Sequence, residues 1–312
     1  MPDITVLIPT WRPDRKLNEI LRRLSLQTLK PDRVLIMNTV DGEEDDQLLG
    51  AVDAWRHAFR VLSVFHVDRK DFDHGGTRRL GMAFADTPFV LYMTQDALPR
   101  DRHLTARLAE AFEDPLVAVS YARQLPVKGS SEAERFTRAF NYPDRSETKS
   151  MEDLDRLGIK TFFCSDVCAM WRRDVCLELG GFEQKTIFNE DMILAGKMIR
   201  AGYRVAYRAD AQVWHSHSYT ALQQLKRNFD LGVSQAQHPE VFSMASSTGE
   251  GIRLVRETAA HLARTGYAAQ IPKLAVDSGC KYLGYSLGRR YASLPKALIL
   301  KLTSNTAYWE EK

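Results

Sequence analysis

At 312 residues the chain can hold one large α/β domain, or one domain plus an extension. Hydrophobic residues at 44% and charged residues at 27% exclude global disorder. A formal net charge of +3 is too small to point to nucleic acid, and no nucleic-acid partner is expected.

Four cysteines, Cys164, Cys168, Cys176 and Cys280, lack the paired spacing of a zinc site and read as buried thiols. Met1-Pro2-Asp3 is not a basic leader, and Ile4 to Ile8 has only strand length. No run approaches the ~18 apolar residues that span a bilayer. A cytoplasmic protein is expected.

In chain order, Ile4 to Ile8 is a β-branched run ending at Pro9-Thr10, a buried strand meeting a loop. Leu17, Ile20, Leu21, Leu24 and Leu29 mark a helix over Lys16 to Leu29, stopped by Pro31. Arg33 to Met37 predicts a second strand closing on Asn38-Thr39. Glu43 to Asp46 reads as a solvated loop or helix start, Val61 to Val67 as a strand, Thr77 to Ala85 as a helix and Phe89 to Met93 as a fourth strand. This alternation predicts a mostly parallel sheet whose ligand lies at the carboxyl ends of the strands. Thr10, Asn38, Asp68 and Thr94 to Asp96 fall at those ends. Further on, Phe162 to Met170 reads as a strand and Trp171 to Leu179 as a helix stopped by Gly180-Gly181. Glu190 to Ala201 reads as a helix ended by Gly202, and Arg204 to Tyr207 with Val213-Trp214 as strand. From about Ala221 the composition favours helices, which divides the chain into a catalytic domain, 1–220, and a helical extension, 221–312.

Four constellations carry chemistry. Asp96, in Tyr92-Met93-Thr94-Gln95-Asp96-Ala97, stands where a carboxylate could hold Mg2+ or Mn2+ against a diphosphate, or could simply cap a turn. Glu190-Asp191 opens a helix, where acids suit the macrodipole, or where one could take a proton from an acceptor hydroxyl. His215 and His217 flank Ser216 and, by strand alternation, share a face open to metal or phosphate. In Asp73-His74-Gly75-Gly76-Thr77-Arg78-Arg79, paired glycines before a helix admit a close ligand and Arg78 can grip a phosphate.

As a set these segments resemble the inverting family 2 of glycosyltransferases, which have the GT-A fold. The likeness runs from Thr5-Val6-Leu7-Ile8-Pro9-Thr10-Trp11 through His74 to Arg78, Thr94 to Ala97 and Glu190-Asp191 to His215-Ser216-His217, about the first 220 residues. The family's Asp-x-Asp motif is replaced by Thr94-Gln95-Asp96. That version resembles the bacterial rhamnosyltransferases, and Asp73 to Arg78 with Thr161 to Asp166 resemble the streptococcal-type enzymes of rhamnose cell-wall polysaccharides. The resemblance implies that Thr10, Arg12 and Asn38 line the nucleotide pocket, that Arg78 contacts the diphosphate and that Gln95 and Asp96 meet the donor. It implies that Asp96 binds Mn2+ or Mg2+ with His215 and secondarily His217, that Asp191 is the base, and that Glu190 serves the acceptor. The implied donor is dTDP-β-L-rhamnose and the acceptor a hydroxyl of a lipid-linked glycan. Rival readings are a UDP-hexose or UDP-galactofuranose donor, a nonenzymatic nucleotide-sugar or glycan-binding module, and a nucleotidyltransferase. The last favours a Gly-rich loop where Pro9 to Arg12 stands.

In the extension, Leu283, Leu287, Tyr291, Leu294 and Leu298 recur at helical spacing among Lys281, Arg289, Arg290, Lys296 and Lys301, and Pro295 must kink or divide the helix. Such a stripe can lie on the anionic inner face of the plasma membrane, or pack on the catalytic domain or on a second copy in a homodimer.

Overall fold

The computed structural model describes residues 3–42, 46–217, 219–245 and 247–310. Most of the acidic segment at Glu43 to Asp46 lies outside them. In chain order the elements are β1 (Ile4–Trp11), α1 (Arg15–Ser25), β2 (Arg33–Val40), α2 (Asp46–Trp55), β3 (Val61–Asp68), α3 (His74–Phe84), β4 (Phe89–Met93), β5 (Leu98–Pro99), α4 (Leu104–Glu110), β6 (Val117–Leu125) and α5 (Glu132–Asn141). They continue with β7 (Glu147–Lys149), α6 (Leu154–Leu157), β8 (Cys168–Arg172), α7 (Arg173–Glu178), α8 (Glu190–Arg200), β9 (Arg204–Trp214), α9 (Ala221–Gln237), α10 (Pro239–Phe242), α11 (Ser247–Arg264), α12 (Ile271–Gly288), α13 (Lys296–Leu302) and α14 (Ala307–Glu310).

One sheet runs in the order β3-β2-β1-β4-β8-β6-β9-β5, with β7 on β9. β1, β2, β3, β4, β6 and β9 point one way; β8, β5 and β7 point the other. The mostly parallel sheet is as expected. β1 and β4 are buried almost throughout, because runs such as Thr5-Val6-Leu7-Ile8 are covered on both faces. One face packs on α1 through Leu17, Ile20, Leu21 and Leu24, the other on α3 and α8 through Met82, Ile193 and Leu194.

Phe162 to Met170 is not a strand over that length. The chain is a tight 3-10 turn to Phe162, and pairing begins only at Cys168. Between the two, the Asp166 carboxylate pairs with Arg78 and accepts from Trp171 Nε1. β6, an inner strand between β8 and β9, was not anticipated. Cys164, Cys168 and Cys176 are free and buried, and Cys280 is free and half-buried.

Beyond Thr220 every described element is helical. α12 lies against α9 so closely that a Cβ at Gly284 or Gly288 would collide with the Leu225 or Phe229 carbonyl. Pro295 does divide the stripe, standing just before α13. Leu287, Tyr291 and Leu294 pack around Phe229 and Val233, whereas Leu283 and Leu298 remain exposed. The same cluster holds Ile187, and Ser234 Oγ donates to the Phe188 carbonyl at 2.6 Å, so the extension braces the loop that leads into α8. No described helix is long and apolar enough to cross a membrane.

Candidate active site

Register aligns Thr10 with Asn38 at the ends of β1 and β2, and the Thr10 hydroxyl donates to Asn38 Oδ1 at 2.8 Å. Both are buried, so they form the floor of whatever binds there. Just past them Arg12 has φ +46°, a backbone region that a non-glycine residue rarely takes without cause. Its guanidinium lies over the half-exposed Trp11 ring and pairs with Asp41 at 2.5 Å, and Arg69 meets the same ring. The pocket expected of Thr10, Arg12 and Asn38 therefore ends in an open aromatic and cationic rim.

Gln95 is employed differently. Its side-chain oxygen accepts from the Trp11 amide at 2.9 Å and its nitrogen donates to the Trp11 carbonyl at 3.1 Å, which ties the turn after β4 to the end of β1. With Gln95 turned to the backbone, Asp96 is left facing the loop after β9. There Asp96 Oδ2 lies 3.6 Å from His215 Nε2 and 3.3 Å from His217 Nε2. One ligand atom from each of the three can be chosen so that all lie within 4.8 Å of one another. Gln124 Oε1 stands 2.9 Å from His215 Nδ1 and also accepts from Arg138 at 2.5 Å. Pointing an acceptor at Nδ1 fixes the proton there and leaves the Nε2 lone pair aimed at Asp96. Burial pushes His215 down to about 3 against the pull of Asp96, and lowers His217 too. Both imidazoles are thus neutral at pH 7, the state in which they bind metal. One carboxylate and two imidazoles with an oriented partner behind them fit a divalent transition-metal ion.

The second centre lies across the segment 165–166. Asn189, left-handed at φ +63°, turns the chain into α8 and sets Glu190 and Asp191 about 100° apart. Asp191 accepts from the Asp166 amide at 3.1 Å and from the Met192 amide at 2.8 Å. Burial, reinforced by the Glu190 charge, raises its pKa to about 7, while those amides and Arg78 hold it back. Glu190 goes the other way: burial would raise it, but the Arg78 guanidinium and His74 bring it below the usual carboxylate range.

Arg78, expected at the diphosphate, is turned into an ion network. It is buried, with Nε 3.0 Å from Asp166 Oδ2 and one terminal nitrogen 3.0 Å from Glu190 Oε1. A guanidinium so far from water is held by its two carboxylates, and those charges are the reason it is there. Glu190, expected on the acceptor side, is equally buried in that pairing. The expected loop before α3 is a helix start: Asp73 caps it by accepting from the Gly76 amide.

Gln124 Nε2 donates to Ser165 Oγ at 3.0 Å, and Asp166 gives its amide to Asp191, so one dipeptide joins the two centres. Sequence reasoning missed Gln124, Arg138 and Ser165, and gave Asp166 no role. A lone acid ahead of the apolar run Val167 to Trp171 was the available signal for Asp166; the others depend on β6, which was itself missed.

A family profile described as Glycosyltransferase like family 2 matches residues 2–230. The O-antigen chain rhamnosyltransferase RfbN of Salmonella typhimurium is 38% identical over 308 residues, 98% of this chain and 96% of that one. WbaN of Salmonella anatum, also an O-antigen chain rhamnosyltransferase, is 34% identical over 312 residues, 99% of this chain and 96% of that one. Among solved structures, the mannosyltransferase PcManGT of Pyrobaculum calidifontis, in complex with GDP-Man and Mn2+, superposes with TM-score 0.55 at 16% identity, covering 100% of this chain and 88% of that one. S. aureus TarS 1–349 in complex with UDP gives TM-score 0.54 at 15% identity, covering 93% and 92%. At those identities the two structures speak for the fold alone, which is GT-A. With the family profile matched over most of its length and relatives aligned end to end, the chain belongs to the family-2-like glycosyltransferases.

Proposed function

We propose that the chain transfers L-rhamnose from dTDP-β-L-rhamnose, with inversion, to a hydroxyl of a lipid-linked glycan during surface-polysaccharide synthesis. The observation that carries the reading is a buried carboxyl group, Asp191, joined through Ser165-Asp166 and Gln124 to the Asp96–His215–His217 cluster. The two named rhamnosyltransferases support the choice of sugar. Residues 1–220 are the catalytic domain in this reading, and 221–312 the acceptor-side extension.

Asp191 accepts the proton of the attacking hydroxyl, for which a pKa near the working pH is well matched. The acceptor oxygen then bonds the anomeric carbon from the face opposite the nucleoside diphosphate, which leaves, so a β-donor yields an α-rhamnoside. A divalent ion held by Asp96, His215 and His217 would neutralise charge developing on the leaving diphosphate. Two nitrogen donors favour Mn2+ over Mg2+, which prefers oxygen. Thr10, Asn38 and Arg12 contact the nucleoside, with Trp11 offering a face to the base. Arg78, Glu190 and Asp166 act as positioning residues: they keep Asp191 in place and set its proton affinity. The exposed Arg289 and Arg290 would draw the protein to the inner face of the plasma membrane. A panel of donors with the purified enzyme and Mn2+ tests the reading: turnover of dTDP-L-rhamnose should exceed that of UDP-hexoses. A clear preference for UDP-glucose or UDP-galactofuranose would overturn the donor assignment.

A further inference from the structure

Away from the catalytic cleft, α9, α11 and α12 enclose a second cavity of about 590 Å3. That is in the ~300–1,000 Å3 range of small-molecule sites. Leu231, Leu254, Leu274 and Tyr285 contribute to its walls. The charged residues that line it, Arg256 and Lys281, are both cationic, and no carboxylate joins them. Neither is ion-paired or hydrogen-bonded to another described residue. Asp277, one turn from Lys281, is engaged by Lys273 at 2.6 Å. Burial lowers the Lys281 pKa, against the pull of the Asp277 charge that Lys273 already shares.

The surroundings indicate what would enter. Ile252 and Tyr282 line the cavity yet are 63% and 62% exposed, and Val276 and Leu283, on the Gly279 face of α12, are 58% and 50% exposed. Large apolar side chains grouped at a mouth mark an interaction surface. On its far side the cavity is lined by Thr137 of α5, and the next residue, Arg138, grips Gln124 beside His215. α5 is therefore the partition between this cavity and the metal cluster.

We propose that the cavity binds the hydrocarbon chain of a phosphorylated long-chain lipid, the anchor of the acceptor glycan, with Lys281 and Arg256 meeting its phosphate. The site rests on the reading of the acceptor as lipid-linked. It offers that ligand an apolar trough whose lining also carries two cations and no carboxylate. The glycan then runs over α5 to Asp191.

Farnesyl diphosphate is a suitable probe, titrated calorimetrically without metal, with farnesol and inorganic diphosphate as its two halves. Gly279 lines the cavity, and a Cβ there meets no atom within 4 Å, so Gly279→Phe should fold and fill the trough. The wild type should bind farnesyl diphosphate, with each half weaker by about tenfold or more. Gly279→Phe should abolish that binding and Lys281→Glu should weaken it by about tenfold. Thermal unfolding, dTDP-rhamnose affinity and turnover on a water-soluble acceptor should stay as in the wild type. Unchanged farnesyl diphosphate binding in Gly279→Phe, or inorganic diphosphate binding as tightly as the intact probe, would overturn the proposal. Turnover on the soluble acceptor reports the transfer reading separately: its absence in the wild type would sink that reading while the lipid titration still decides this one.

Discussion

Two acidic centres lie on either side of Ser165-Asp166, and they are built on opposite plans. Around Asp96 the partners are neutral imidazoles, and Arg138, one of the cations nearby, is engaged by Gln124. Around Asp191 the partners are backbone amides and a buried ion network, Arg78 with Asp166 and Glu190. The first plan sets a carboxylate and two neutral imidazoles where they could share an added cation. The second sets three carboxyls around one guanidinium, and burial with their mutual repulsion raises the proton affinity of Asp166 and Asp191. A cation receptor and a proton receptor can thus be told apart by how the surrounding charge is compensated.

The most severe way to break the comparison is at the cation receptor. Asp96→Ala should reduce transfer to background with the fold retained by circular dichroism, and EDTA should do the same to the wild type until Mn2+ is restored. Full activity in metal-free buffer would remove the ion from the mechanism. Next in size is Arg78→Lys, which cannot keep both ion pairs. Breaking a buried pair costs about 3–5 kcal/mol, so chemical denaturation should show a loss of that order together with slower turnover. Donor affinity should be nearly unchanged. A large loss of donor affinity with stability intact would return Arg78 to the diphosphate.

A smaller effect is expected behind the metal cluster. Gln124→Leu removes the acceptor that orients His215 and should weaken Mn2+ binding by about 10–100-fold, read by paramagnetic resonance titration. His217→Ala should matter less than His215→Ala, because the His217 side chain is 40% exposed and that of His215 only 6%. Equal effects would mean that burial does not rank the two histidines, and Mn2+ binding unchanged in Gln124→Leu would mean that Gln124 orients nothing.

The smallest change sharpens the proton receptor. Asp191 titrates at about 7, above its ordinary value, so the competent carboxylate is lost as pH falls through about 7. Glu190 is the charge that helps to raise it. Glu190→Gln should therefore move the acid limb of kcat/KM to lower pH, and a limb that stays in place or moves up would contradict the coupling.

Much of this was legible in the chain. β1 to β4, α1 and α8 were readable because β-branched runs and a regular apolar stripe report burial locally. That Asp96, His215 and His217 would come together was readable because they fall at strand ends, where such sheets gather their loops. The surroundings of three other expected site residues were not legible, for one reason. Arg78, Glu190 and Gln95 each carry a polar group whose partner lies far along the chain, Asp166 for Arg78 and Trp11 for Gln95. No local pattern says whether an arginine will face a ligand or a buried carboxylate. Val117 to Leu125 was missed for a related reason: Ser120, Arg123 and Gln124 break its apolar run, yet Ser120 and Gln124 are buried in the folded sheet.

The central claim is that Asp191 takes the proton, and Asp191→Asn tests it most directly. With donor affinity measured by calorimetry beside single-turnover transfer, the account predicts a rate lower by about 10²–10⁴-fold and unchanged donor binding. Near-normal transfer by Asp191→Asn, with Glu190→Gln inactive, would contradict it and move the base to Glu190.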